Sequence, residues 1–107
     1  MQRYGRVIRL RAEGADEYEQ LHRQPWPAVL AALSRAGIRN FSIYRYGDLL
    51  FSYFEYHGDD LLTDEATMAL DEDVAAWLRK CDPLQEPVEE REPGTWWHGI
   101  PEIFHCE

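Results

Sequence analysis

Cysteine is scarce in this chain: Cys81 and Cys106 are the only two in 107 residues, and no spacing typical of a metal site joins them. With no disulfide framework on offer, the expected setting is the cytoplasm, with both thiols reduced. Lysine is scarcer still. Lys80 stands alone among eleven basic residues, and the arginines are scattered, a skew that points to genome composition and not to a phosphate site. Positive charge as a whole is short, with 11 basic against 20 acidic residues and a formal net charge of −9. That field repels polyanions, which argues against DNA, RNA or an acidic membrane as partner and leaves a neutral small molecule unpenalised. No apolar run approaches the roughly 20 residues of a membrane-spanning helix. Met1-Gln2-Arg3-Tyr4-Gly5 does not begin a hydrophobic signal segment. Repeats and low-complexity tracts are missing too.

What is present is an ordinary globular balance, 45% hydrophobic and 29% charged, sized for one domain over residues 1–107 with a modest core. Self-association to a homodimer is expected to help cover its sheet. Val7, Ile8 and Leu10 among arginines predict a strand over Arg3–Arg11. Asp16 offers an N-cap for a helical pattern that runs to about Ala36 and breaks at Pro25 and Pro27, with Gly37 as its stop. Ile38–Arg45 and Leu49–Tyr56 read as strands joined by a hairpin at Tyr46-Gly47-Asp48. Helix formers fill Thr63–Lys80, with Asp71-Glu72-Asp73 able to split them. An acidic, Pro-containing loop spans Gln85–Gly94, and Ile100–Cys106 reads as a last short strand. Strand, helix, strand, strand, helix, strand is the ferredoxin-like order: an α+β subunit, antiparallel sheet with helices on one face. Two such sheets packed together give a dimeric α+β barrel, with the loop and last strand free to reach the partner.

Tyr18 and His22 are spaced i, i+4 and share one side of a helix. Imidazole exchanges protons near neutral pH, a phenol can fix a hydroxyl, and Trp26 one step further offers a flat face to a ring. From the residues alone, a surface histidine beside core aromatics fits the same spacing.

The runs Glu17-Tyr18-Glu19-Gln20-Leu21-His22, Trp26-Pro27 and Ile38-Arg39-Asn40-Phe41-Ser42-Ile43-Tyr44 resemble the L-rhamnose mutarotase family. So do Asp48-Leu49-Leu50-Phe51, Phe54-Glu55-Tyr56, Trp77, Cys81-Asp82-Pro83, Trp96-Trp97 and Pro101-Glu102-Ile103-Phe104-His105. The resemblance spans nearly the whole chain, and Tyr-x3-His-x3-Trp-Pro is its most specific block. It implies a homodimer of ferredoxin-like subunits that interconverts anomers of L-rhamnose or another 6-deoxyhexose, without metal or organic cofactor. His22 would donate and accept the proton, with Tyr18, Trp26, Phe41, Trp77 and Leu78 as substrate contacts. Two of these depart from the family pattern, which commonly has a tyrosine at the position of Phe41 and adjacent tryptophans at Trp77-Leu78. Either nearby residues such as Tyr44, Tyr53 and Trp96 compensate for the losses, or the substrate is a less polar or different ring, which makes a diverged isomerase, cyclase or cofactor-free monooxygenase of secondary metabolism the alternative; a non-catalytic module on the same fold is a third.

Trp96-Trp97 can line a pocket, pack over the sheet or sit at a dimer interface, with the interface slightly favoured. His98 and His105 are expected at the surface or interface, and Glu102 in solvent. Glu55, mid-strand among aromatics, is a candidate buried carboxylate.

Overall fold

The computed structural model describes residues 1–107. Strand β1 is Gln2–Leu10, α1 Ala15–Arg23, α2 Pro27–Arg35, β2 Ile38–Tyr46 and β3 Leu49–Tyr56. Then come α3 Leu61–Ala69, α4 Glu72–Cys81, and two short strands, β4 Gln85–Glu86 and β5 His98–Ile100. All pairings are antiparallel, in the order β2-β3-β1-β4, with β5 also on β1. This is the ferredoxin-like arrangement expected from the order of the elements.

Local chemistry sets the breaks. Gln24 precedes Pro25, which disfavours helical geometry there, and α1 ends at Arg23. Trp26, extended at φ −72° and ψ 129°, precedes Pro27, whose fixed φ opens α2 at its first position. Gly37, at φ +83°, turns the chain from α2 into β2. Asp71 divides the second helical region because its carboxylate accepts from the backbone N–H groups of Asp73 (2.9 Å) and Val74 (3.1 Å), capping α4. Asp60 caps α3 in the same way through Thr63.

Two expectations are corrected. The first helix begins at Ala15, so Asp16 lies inside its first turn and complements the helix dipole instead of capping it. The last strand is not Ile100–Cys106. Strand β5 closes at Ile100 because Pro101 has no N–H for the ladder, and residues 101–107 have no regular structure. β4 pairs with Arg9 and Leu10, and β5 with Gly5, Arg6 and Val7, so together they cover the edge of β1 opposite β3.

Alternation in β3 sorts the sheet into two faces. Leu50, Ser52, Phe54 and Tyr56 are buried, and their partners on β1 are Ile8, Arg6, Tyr4 and Gln2. Ile8, Leu10 and Leu50 pack with Tyr18, Val29, Trp77 and Cys81 from the helices; Ile38, Phe54 and Tyr56 form a second cluster. The other face carries Val7, Leu49, Phe51 and Tyr53, with Tyr44 opposite Phe51 and 65% exposed. Glu55 is on that face too. It is half-exposed rather than buried, and hydrogen bonds from Asn40 (2.7 Å) and Tyr53 (2.8 Å) hold its carboxyl below the usual range.

Candidate active site

Helix α1 stacks the two residues that its spacing aligns. The rings of Tyr18 and His22 lie 4.1 Å apart at 28°, and Trp77 from α4 meets His22 edge-on at 5.2 Å. His22 Nδ1 lies 2.7 Å from the Tyr18 carbonyl oxygen. A carbonyl only accepts, so Nδ1 carries the hydrogen and Nε2 keeps its lone pair. Partial burial holds His22 below its ordinary pKa of 6.5, opposed in part by that same hydrogen bond. At neutral pH it is therefore a base.

Tyr18 is only 3% exposed, and burial pushes its phenol well above the ordinary range. Its oxygen accepts from Gln85 Nε2 at 3.0 Å, while Gln85 Oε1 accepts from Trp96 Nε1 at 2.7 Å. The indole N–H can only donate, and this fixes which end of the Gln85 amide faces Tyr18. Tyr18 makes no hydrogen bond as donor within the chain, so its own O–H is available to a bound molecule.

A bulge brings Phe41 to the same face. Asn40 and Phe41 together lie opposite Phe54, between the Arg39–Glu55 and Ser42–Tyr53 pairs, and Asn40 adopts φ +50°. The extra residue turns Asn40 to the outer face, toward Glu55, and Phe41 inward, 5.8 Å from Phe54. An open cavity of about 1510 Å³ is lined by Tyr18, His22, Phe41, Trp77 and Leu78, and also by Arg6, Ser52, Glu65, Gln85 and Trp96.

Five of the six site residues expected from sequence thus share one cavity. Trp26 does not line it; it packs edge-on behind Trp77 at 5.2 Å. Trp96 is tied to Gln85 on the cavity wall, and Trp97 packs against the core. His98 lies 3.6 Å from Glu92, and His105 lies 3.8 Å from Glu102, which pairs with Arg3 at 3.0 Å. No three His, Cys, Asp or Glu side chains converge as a metal site requires. Gln85, Arg6, Ser52 and Glu65 were not singled out in the sequence. For Arg6 one signal exists: it has the same parity as Ile8 and Leu10, hence the same face.

The family described as L-rhamnose mutarotase matches residues 3–106. The chain is 30% identical to an L-rhamnose mutarotase of Lactiplantibacillus plantarum over all of both chains. It is 33% identical to an L-fucose mutarotase of Xanthomonas campestris pv. campestris, covering 97% of this chain and 87% of the relative. The crystal structure of an L-rhamnose mutarotase from Formosa agariphila superposes over 100% of both chains with a TM-score of 0.76 at 21% identity, a likeness of fold.

Proposed function

Since the chain belongs to the L-rhamnose mutarotase family, we propose that it interconverts the anomers of a 6-deoxyhexose, with His22 as acid and base and no cofactor. The observation that carries this is the hydrogen bond of His22: its Nδ1 rests on the Tyr18 carbonyl, which leaves the Nε2 lone pair of the neutral ring free, and the residue lines an open cavity together with Tyr18 and Trp77.

His22 Nε2 takes the proton from the anomeric hydroxyl as the C1–O5 bond breaks. The imidazolium returns a proton to the ring oxygen, leaving the open-chain aldehyde. Rotation about C1–C2 and the reverse steps close the ring with the other configuration; nothing is oxidised and nothing leaves. The raised pKa of Tyr18 makes it a poor proton donor but a durable hydrogen-bond donor, which suits holding an oxygen while charge shifts. Trp77, Leu78 and Phe41 supply the apolar wall for the C–H face of the ring. An apolar ring substrate, the alternative, fits less well a cavity that also presents Arg6, Ser52, Glu65 and Gln85.

The proposal includes a homodimer and a cytoplasmic setting. The apolar outer sheet face, with Val7, Phe51 and exposed Tyr44, supports the first, and two free cysteines the second. No helix is long and apolar enough to cross a membrane.

NMR saturation transfer between the anomers of L-rhamnose and of L-fucose tests the activity. Exchange above the buffer rate is expected for the wild type and not for His22→Ala; no excess rate on either sugar, or full activity in the variant, rejects it. Sedimentation velocity is expected to give twice the subunit mass of 12.6 kDa.

A further inference from the structure

The cavity has a second polar group that the proton chemistry does not use. β1 lays Arg6, Ile8 and Leu10 along its inner face. Leu10 pairs with Gln85, the residue that holds Tyr18, and Arg6 lies four residues away, about 13 Å of strand. Arg6 Nη1 and Nη2 donate to Glu65 Oε2 and Oε1 at 2.7 and 3.0 Å, and the guanidinium sits 5.0 Å over the Phe54 ring. Ser52 is the cross-strand neighbour of Arg6; it is 6% exposed, and its hydroxyl bonds to nothing in the chain. All three line the cavity together with His22.

We propose that the Arg6–Glu65 pair, with Ser52, is a specificity site that reads neighbouring hydroxyl groups of a neutral pyranose whose anomeric carbon lies at His22. It rests on the anomer exchange proposed above. A guanidinium has five N–H donors, and the end-on pairing with Glu65 uses two of them. Three donors remain, and each Glu65 oxygen keeps accepting capacity. A sugar hydroxyl both donates and accepts, so two adjacent hydroxyls match a donor set beside an acceptor set. The Ser52 hydroxyl can serve either way. The charges of the pair neutralise one another, so a sugar carboxylate gains little from Arg6 and meets the charge of Glu65; a neutral polyol has no such conflict. Phe54 lies under the guanidinium and Phe41 packs on Phe54, giving the apolar surface that the C–H edges of the same ring require. As a mere tie between β1 and α3, a partly exposed pair contributes little to stability.

The test is anomer exchange by NMR, read as KM and kcat separately, on the favoured 6-deoxyhexose and its single-hydroxyl-deleted analogues, with ligand-observed binding alongside. Arg6→Met is expected to raise KM about tenfold or more with kcat little changed. It should also abolish the preference for the intact sugar over the analogue lacking the hydroxyl that is read. Arg6→Lys keeps the charge but loses the planar fork, and Ser52→Ala keeps the ion pair; both should raise KM, by less. Unchanged KM and unchanged analogue preference in folded Arg6→Met overturn the site while the exchange activity stands. If Arg6→Met does not fold, unchanged KM in both other variants has the same force. A wild type that binds the sugar without exchanging it, with weaker binding by the variants, keeps the site and rejects the activity. No binding of any neutral sugar rejects both.

Discussion

Gln85 Nε2 donates to Tyr18 Oη at 3.0 Å across 67 positions of sequence, and Trp96 fixes the amide that makes the bond. The direction matters, because it leaves the tyrosine hydrogen without an acceptor in the chain and, on the proposed function, free for the substrate. Gln85→Glu keeps the size and still accepts from Trp96, but a carboxylate cannot donate; Tyr18 would turn its O–H toward it. The expected result is a drop in kcat/KM of about tenfold, the worth of a hydrogen bond near a charged group, with a melting temperature close to wild type. Gln85→Leu also leaves the Trp96 N–H unpaired and is expected to cost about 1–3 kcal/mol of stability in urea titration. Full activity in Gln85→Glu would remove Gln85 from the positioning of Tyr18.

His22 gives the pH dependence its sign. Burial lowers its pKa, so the neutral base persists below the ordinary 6.5, and kcat/KM should stay flat through neutrality and fall only on the acid side of that value. Stability is linked in the same window. As pH drops below about 6.5 the unfolded chain binds a proton that the folded chain still refuses, so this contribution is full above 6.5 and shrinks as pH falls toward the folded pKa. An acid limb centred above 6.5 in the rate profile contradicts this environment for His22.

The two cysteines should differ sharply toward thiol reagents. Cys81 is 3% exposed in the core cluster, and burial, with Asp82 adding to it, pushes its thiol up to about 12; Cys106 is exposed in the tail. Thiolate is the reactive species, so native protein should release one equivalent quickly with Ellman's reagent, and the second only on unfolding. Cys106→Ser should abolish the fast phase alone.

Elements with local signatures were legible in sequence: the Leu49–Tyr56 strand by composition and turn, the α1–α2 break by Pro25 and Pro27, the α4 start by Asp71. Tyr18 and His22 were legible because helical spacing is a local property. Gln85 was not, since its role depends on a two-residue strand added to the far edge of β1, and composition makes its neighbourhood a loop. The bulge at Asn40 was equally hidden. Without it, strict alternation from Ile38 would carry Asn40, not Phe41, to the inner face. Trp26 shows the opposite limit: helical spacing put it beside His22, but the Pro25–Pro27 break directs it behind Trp77.

A steric relationship at the end of β3 is open to a clean stability test. Tyr56 is 1% exposed, and its hydroxyl is held from two sides: it accepts from the Asp60 N–H at 2.9 Å and donates to the Asp64 carboxylate. A Cβ on Gly58 would sit 2.3 Å from that hydroxyl oxygen, and the ring has no free direction in which to yield. Gly58→Ala should therefore destabilise by about 1–3 kcal/mol, as overpacking does. Gly99→Ala, whose Cβ meets nothing within 4 Å, should stay within about 0.5 kcal/mol of wild type. In a Tyr56→Phe background the oxygen is gone, although the Cζ atom at 2.5 Å remains, so Gly58→Ala should cost less than in wild type. Urea midpoints of the four proteins close this double-mutant cycle, and strict additivity would show that the cost at Gly58 does not arise from contact with the Tyr56 hydroxyl.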